Sequence, residues 1–227
     1  NMKQAGRLTF QLRGEGAVNR LVMICNAQLQ LRGMAHEAVA CDAGSLNEVL
    51  GEGSLTMTLD APEMRQPYQS QVPLQGESLA AVFEHYLAQS EQQSARLWLA
   101  ANGQTAAGLF LQVLPGASLR DEDGWNRVQI LANTLSPTEL LTLTSIDLLA
   151  RLFPEEDVRV YDPRPVVWDC PEDWDKITGM LRSIGREECE AILAEVGEIH
   201  VHDDICNRDY RLDTAAVHRL FNPEEDA

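Results

Sequence analysis

The sequence predicts an α+β protein: a mixed β-sheet domain covered by helices, then a linker rich in proline and acid, then a small α+β module at the C-terminal end. Three observations predict it. Polar and apolar residues alternate in the stretches between Arg7 and Leu74. The apolar spacing turns helical from Ser78. Three prolines among acidic residues in PEEDVRVYDPRP, Pro154 to Pro165, then interrupt the chain before a shorter set of helices and strands. The boundaries are 1–153 for the sheet-and-helix core, 154–165 for the linker and 166–227 for the module.

Arg7 to Leu12 (RLTFQL) has a period of two and reads as a strand, and GEG at Gly14 to Gly16 supplies the turn after it. Leu21 to Cys25 and Leu29 to Met34 continue as strands, Ser45 to Leu50 forms one or two helical turns, and Ser54 to Leu59 and Tyr68 to Leu74 flank a Pro-containing connection. In SLAAVFEHYLAQSEQ, from Ser78, the residues Leu79, Val82, Phe83, Tyr86 and Leu87 make one apolar stripe that should cover a sheet face. Ala95 to Ala101 and Ala107 to Leu114 form a hairpin around Asn102 and Gly103, with which the sheet is expected to resume. Trp125 to Leu135 is a helix, and SPTE at Ser136 to Glu139 is a capping box with Pro137 in the first turn, so a second helix starts there. The series Leu140, Leu141, Leu143, Ile146, Leu148, Leu149, Leu152 and Phe153 is expected to pack in a core. In the module, Trp174, Ile177, Leu181 and Ile184 form a stripe ended by Gly185; a helix over Arg186 to Glu195, strands at Ile199 to Val201 and Tyr210 to Leu212, and a helix at Ala215 to Phe221 follow. With Ile192, Leu193, Val201 and Ile205 added, these residues can form one small core.

With 227 residues and 44% hydrophobic content, the chain can bury a sizeable core. No apolar run is long enough for a membrane span, and no basic-then-apolar leader precedes the first strand. The start at Asn1, without an initiator Met, is read as a truncation. Five scattered cysteines do not form the framework of a small secreted protein and point to a reducing cytoplasm. Of the net charge of −17, the residues from Pro154 to Ala227 carry −12, which leaves −5 for the rest. Nucleic acid is excluded as a partner for such a surface, whereas basic or partly unfolded polypeptides suit it. The absence of a phosphate-cradling glycine loop argues against a nucleotide.

Chemistry concentrates between Val166 and Asp213. Cys170 in VVWDCPEDWD and Cys206 in HVHDDICNRDYRLD can meet only if the chain between them folds back, as it does in zinc modules whose ligands arrive in two pairs. At CxC spacing after Cys170 stands Glu172, and at CxxC spacing before Cys206 stands Asp203, so carboxylates hold two of the four thiolate places. One arrangement is a mixed zinc site, with His200 and His202 close by. In the other, which is the expected one, no metal or other cofactor is bound and apolar side chains such as Trp174, Ile177 and Ile205 fill the space. Glu172 and Asp203 brought together repel unless a cation or proton lies between them. Cys170 and Cys206 are the redox candidates, either linked as one disulfide or left as two thiols. Cys25, Cys41 and Cys189 match no ligand position, and Cys189, beside Ile192 and Leu193, reads as a small buried hydrophobe. A thiol enzyme using Cys206 with His202 and Asp203 is a rival from another class, but local acidity raises a thiol pKa and no oxyanion loop is visible.

Several stretches together resemble the heat-shock protein 33 family of holdase chaperones: FQLRGEG at Phe10 to Gly16, LRGMA at Leu31 to Ala35, GESLAAVFEHYLAQSEQ at Gly76 to Gln92, AAGLFLQVLP at Ala106 to Pro115, ELLTL at Glu139 to Leu143 and LLARLFPEEDVRVYDP at Leu148 to Pro163. The resemblance implies a non-enzymatic, ATP-independent chaperone for unfolding clients, usually dimeric, with a mobile linker and a C-terminal zinc switch of four thiolates that oxidation converts to disulfides. This sequence departs from that pattern twice. The family's segment before the first strand is missing, and only Cys170 and Cys206 match the four ligand positions. The expectation is therefore a holdase whose redox and zinc switching is weakened or lost, with a dedicated binding protein on the same scaffold as the alternative.

Overall fold

The structure, a computed structural model, describes residues 6–39, 45–90, 92, 94–116 and 121–222. Its first layer is a sheet of β1 (Arg7–Gly14), β2 (Val18–Asn26), β3 (Gln30–Glu37), β4 (Gly53–Asp60) and β5 (Tyr68–Pro73), all neighbours antiparallel in the order β5-β4-β1-β2-β3. The alternation in RLTFQL sets the faces. Leu8, Phe10 and Leu12 stand opposite Leu59, Met57 and Leu55 of β4 on one face, and Thr9 and Gln11 point to the other. The helix α1 (Leu46–Leu50) is started by a capping box between Ser45 and Glu48, and its end presses on the first turn: a Cβ on Gly14 would lie 1.9 Å from the Leu50 carbonyl oxygen. The GEG turn is therefore glycine because a helix end packs on it. Helix α2 (Leu79–Ser90) covers the apolar face with Val82 and Tyr86 fully buried, and Phe83 meets Phe10 edge to face at 5.1 Å.

The hairpin of β6 (Ala95–Ala101) and β7 (Ala106–Gln112) does not rejoin that sheet, contrary to the sequence expectation. Instead, Glu84 of α2 takes the Leu97 N–H at 2.7 Å, and the hairpin turns Trp98, Ala100, Leu109 and Leu111 toward α3 (Gly124–Ala132), α4 (Pro137–Thr142) and α5 (Ser145–Leu152). The hairpin thus builds a second core with its own helices. The helix expected after SPTE is also two helices. Thr144 adopts an extended backbone and its hydroxyl accepts from Asp147 N–H, so a new N-cap restarts the chain at Ser145. Leu140, Leu148, Leu152 and Phe153 are buried as expected, whereas Ile146 and Leu143 face solvent.

Residues 154–166 contain no helix or strand. Their start is tied down where Arg127 of α3 grips both oxygens of Glu156 at 2.5 and 3.1 Å and reaches Asp121 at 2.7 Å. The segment then returns to the sheet, where β8 (Val167–Trp168) pairs in parallel with β3 as a sixth strand, a junction that the sequence reading did not foresee.

Beyond it, α6 (Trp174–Ile184), α7 (Arg186–Val196), β9 (Ile199–Asp203), β10 (Arg208–Leu212) and α8 (Thr214–Phe221) enclose a third core of Ile177, Leu181, Cys189, Ile199, Tyr210, Leu212 and Val217. Trp174 and Ile184, expected in that core, are both nearly half exposed. Each sits at an end of α6. Trp174 packs only its edge on Tyr210, with ring centres 4.9 Å apart, while its Nε1 donates to Glu172.

Candidate functional site

The thiols at the two ends of the module meet. Cys170 and Cys206 form a disulfide with Cα atoms 5.5 Å apart, closing the 36-residue separation between the strap after β8 and the β9–β10 turn. The meeting is prepared by polar contacts around it: Arg208 donates to the Cys170 carbonyl at 2.9 Å, and the Asp173 N–H donates to the Tyr210 hydroxyl at 3.0 Å. Of the apolar side chains expected to take the place of a metal, Ile177 is buried, Ile205 is half-buried and Trp174 is nearly half exposed, and the two sulfurs are bonded to each other.

The two carboxylates at the remaining places do not face each other. Glu172 accepts from Arg208 at 3.0 Å and from the Trp174 indole at 2.9 Å. Asp203 pairs with Lys176 at 3.4 Å and accepts backbone N–H bonds from Ile205 and Cys206 at 3.0 and 3.4 Å. Burial alone would raise the Asp203 pKa, but the Lys176 charge and those two N–H donors outweigh it, and the carboxyl is held below its ordinary value. The cation required between two carboxylates is thus supplied twice, by one basic side chain for each.

His200 and His202 are partnered elsewhere, although His202 shares one cleft with Asp203 and another with Cys206. Alternation along β9 turns Ile199, Val201 and Asp203 inward and both imidazoles outward, where they share one Asp209 oxygen at 2.7 and 2.8 Å. The hydrogen bond to Asp209 raises the His202 pKa, and the same bond together with that of His200 lowers the Asp209 pKa.

A tetrahedral zinc site needs four free donors. Here the sulfurs are bonded to each other, the carboxylates are taken by Arg208, Lys176 and backbone N–H groups, and both imidazoles are bonded to Asp209. As arranged, this donor set does not fit zinc, and among the described residues no group of three or more His, Cys, Asp or Glu is placed to hold a metal ion. The arrangement does not fit a thiol nucleophile either, because the Cys206 sulfur is in the disulfide and His202 turns to Asp209. Cys189 is fully buried, where burial raises its pKa and the nearby Glu188 charge adds to the rise; Cys25 is half-buried, and Cys41 lies outside the described residues.

The residues that sequence reasoning missed are Lys176 and Arg208. Each stands at a fixed offset from an acidic ligand position, but nothing in the one-dimensional pattern says which carboxylate it meets. The module's inner side, including Ile177, Met180 and Val201, looks across a cleft of about 570 Å³ at the outer face of the sheet.

Comparison with known proteins decides the family. The model described as Hsp33 protein matches residues 1–213. The chain belongs to the Hsp33 family. Proteins named 33 kDa chaperonin are similar to it over almost its whole length. The one from Nitrosococcus oceani is 40% identical over 226 residues, covering 100% of this chain and 78% of the relative. That from Methylobacillus flagellatus is 37% identical over 222 residues, covering 97% and 76%. The Pseudomonas aeruginosa protein is 40% identical over 228 residues, covering 97% and 76%. Among solved structures, the crystal structure of the 33 kDa chaperonin of Thermotoga maritima superposes with a TM-score of 0.81 at 21% identity, over 100% of this chain and 81% of that one. That likeness shows the Hsp33 fold, with its mixed sheet and helices.

Proposed function

We propose that this Hsp33-family chain is an ATP-independent holdase that binds unfolding proteins and keeps them from aggregating, with a redox and zinc switch that is weakened or lost. The observation that carries the reading is the apolar surface along the linker and strap. Val158, Val160, Tyr161, Val166, Val167 and Trp168 are all exposed, from 40% to 72%, on one continuous stretch. A monomeric protein rarely leaves such a run uncovered without a partner for it. The names of the relatives, 33 kDa chaperonin, support the same reading.

The partner class is unfolded polypeptide rather than nucleic acid, given the net charge of −17. The assembly is a homodimer, and the compartment is the cytoplasm. No enzymatic step is part of this reading, and among the described residues no helix is long and apolar enough to cross a membrane. The domain plan is that of the sequence, 1–153, 154–165 and 166–227, with Cys170 and Cys206 as the redox pair and Glu172 and Asp203 in ligand positions that metal no longer uses.

Light scattering from a chemically unfolded client diluted into buffer tests this directly. Suppression without ATP is expected, with little change on adding peroxide, because carboxylates at two of the four switch positions cannot be oxidised. Full suppression only after oxidant would overturn the weakened switch, and no suppression at several-fold molar excess would overturn the holdase. Sedimentation reads the dimer.

A further inference from the structure

β3 is an edge strand along most of its length. β8 pairs with it at Gln30 and Leu31 only, through Val167 N–H to the Leu29 carbonyl at 3.1 Å and Asp169 N–H to the Leu31 carbonyl at 2.8 Å. Among the described residues, no strand pairs on that side beyond Leu31. Backbone groups alternate along a strand, so the side that offers Leu29 and Leu31 to β8 offers Gly33 and Ala35 next. In front of them lies a cleft of about 440 Å³, bounded by Gly33 to His36 on one wall, by Asp204 to Asn207 of the β9–β10 turn on the other, and by Trp168.

Open edges are usually blunted by lysine, proline or a covering element. QLRGMAHE, the whole of β3, contains neither residue, its charges are Arg32 and Glu37 outside the Gly33 to Ala35 stretch, and its cover is two residues long. We infer that the edge of β3 from Leu31 to Ala35 is a docking edge for an extended, apolar, non-acidic polypeptide segment, which joins the sheet as a strand where β8 now lies. The inference rests on the holdase reading and says where the client's backbone binds.

The occupant is argued from the chain itself. β8 is an extended apolar segment, Val166-Val167-Trp168, already seated on this edge by main-chain hydrogen bonds, which are the part of strand addition that does not depend on sequence. Met34 and Ile205 give the cleft apolar walls, while Asp169, just past β8, and Asp204 at the rim disfavour an acidic segment. Displacing β8 costs the backbone hydrogen bonds of its short ladder, and a longer strand regains these and adds those of Gly33 and Ala35. The displaced Val166 to Trp168 then offer their side chains to the same client.

Gly33 cannot be used to probe the edge, because a Cβ there would lie 2.4 Å from the Val22 carbonyl oxygen. Ala35→Pro removes the outward N–H and leaves the bonds to β2 in place, and Val167→Pro removes the β8 donor. The experiment is amide-resolved hydrogen exchange on the full chain, with and without reduced, alkylated lysozyme as a permanently unfolded basic probe, together with the affinity of each variant for that probe. Exchange at Gly33 and Ala35 is expected to slow about tenfold on binding, Val167→Pro to bind at least about threefold tighter, and Ala35→Pro at least about threefold weaker. Probe bound with no protection at Gly33 and Ala35, or bound equally by Ala35→Pro, overturns the docking edge and leaves the holdase standing. Probe bound by none of the three proteins overturns the holdase, and the docking edge with it.

Discussion

The core beneath the six-stranded sheet and the core of the C-terminal module each bury seven side chains, but they differ in what surrounds those seven. Eleven further hydrophobic residues pack around the first set, from Leu8 to Leu87, and six around the second. The sheet core is also fixed by ladders seven or eight residues long on both sides of β1, whereas the ladder within the module, among the described residues, is the five-residue β9–β10 pair. A module this small has little area to bury and leans on other devices. Here these are the Cys170–Cys206 disulfide, the Asp173 and Asp213 helix caps and the ion pairs of Glu172 and Asp203. The difference teaches that a small core can be held by a cross-link and by carboxylates that each have their own cation, where a large core relies on area and long ladders.

The comparison breaks most visibly if a core residue is removed from each side. Leu55→Ala and Leu181→Ala, both at fully buried positions, each should cost about 2–5 kcal/mol. The same cost should leave the sheet domain folded and unfold the module, as followed by denaturant titration with Trp174 fluorescence reporting the module. Equal shifts of one shared transition would show that the two cores fold as a unit.

Reducing the disulfide, or replacing both cysteines with serine, is expected to destabilise the module by about 3–4 kcal/mol, the chain-entropy value for a loop of this length. The transition assigned to the sheet core should not move. This sets the pair apart from a metal switch, since reduction loosens the module and oxidation tightens it.

Asp203→Ala strands two buried-side backbone donors and the Lys176 charge, for an expected loss of about 1–3 kcal/mol. Glu172→Ala, at a carboxylate far more exposed than Asp203, should cost at most about 1 kcal/mol. The ordering of the two, measured by thermal unfolding, is the test.

Protonation gives smaller effects of opposite sign. The folded-state pKa of His202 lies above its unfolded value of about 6.5, so its contribution is complete below that pH and disappears as pH rises through the raised value. Asp203 has a lowered folded-state pKa, so its contribution is complete above about pH 4 and disappears as pH falls below it. The module should therefore be most stable in mildly acidic buffer, and His202→Gln should flatten the decline on the alkaline side. The smallest effect expected is that of a strong chelator, which should leave the module's melting temperature unchanged.

The sequence by itself determined the local features. Period-two alternation set the inward Leu8, Phe10 and Leu12, the Ser136–Glu139 capping box placed the start of α4, Gly185 ended α6, and the acid-and-proline stretch from Pro154 carried no helix or strand. These features follow from interactions within a few residues, which the order of the chain contains. The family was legible too, through the resemblance of FQLRGEG, LRGMA and the stretch from Gly76 to Gln92 to known members. What only the tertiary structure decided involves partners far apart in the chain. The β6–β7 hairpin packed on the helices instead of joining the sheet, with Glu84 taking the Leu97 N–H and α3–α5 covering its apolar side, β8 returned to β3 across about 130 residues, and Arg208 and Lys176 were allotted to Glu172 and Asp203. Such choices depend on which surfaces remain unsatisfied once the local elements have formed, and no spacing rule along one chain records that.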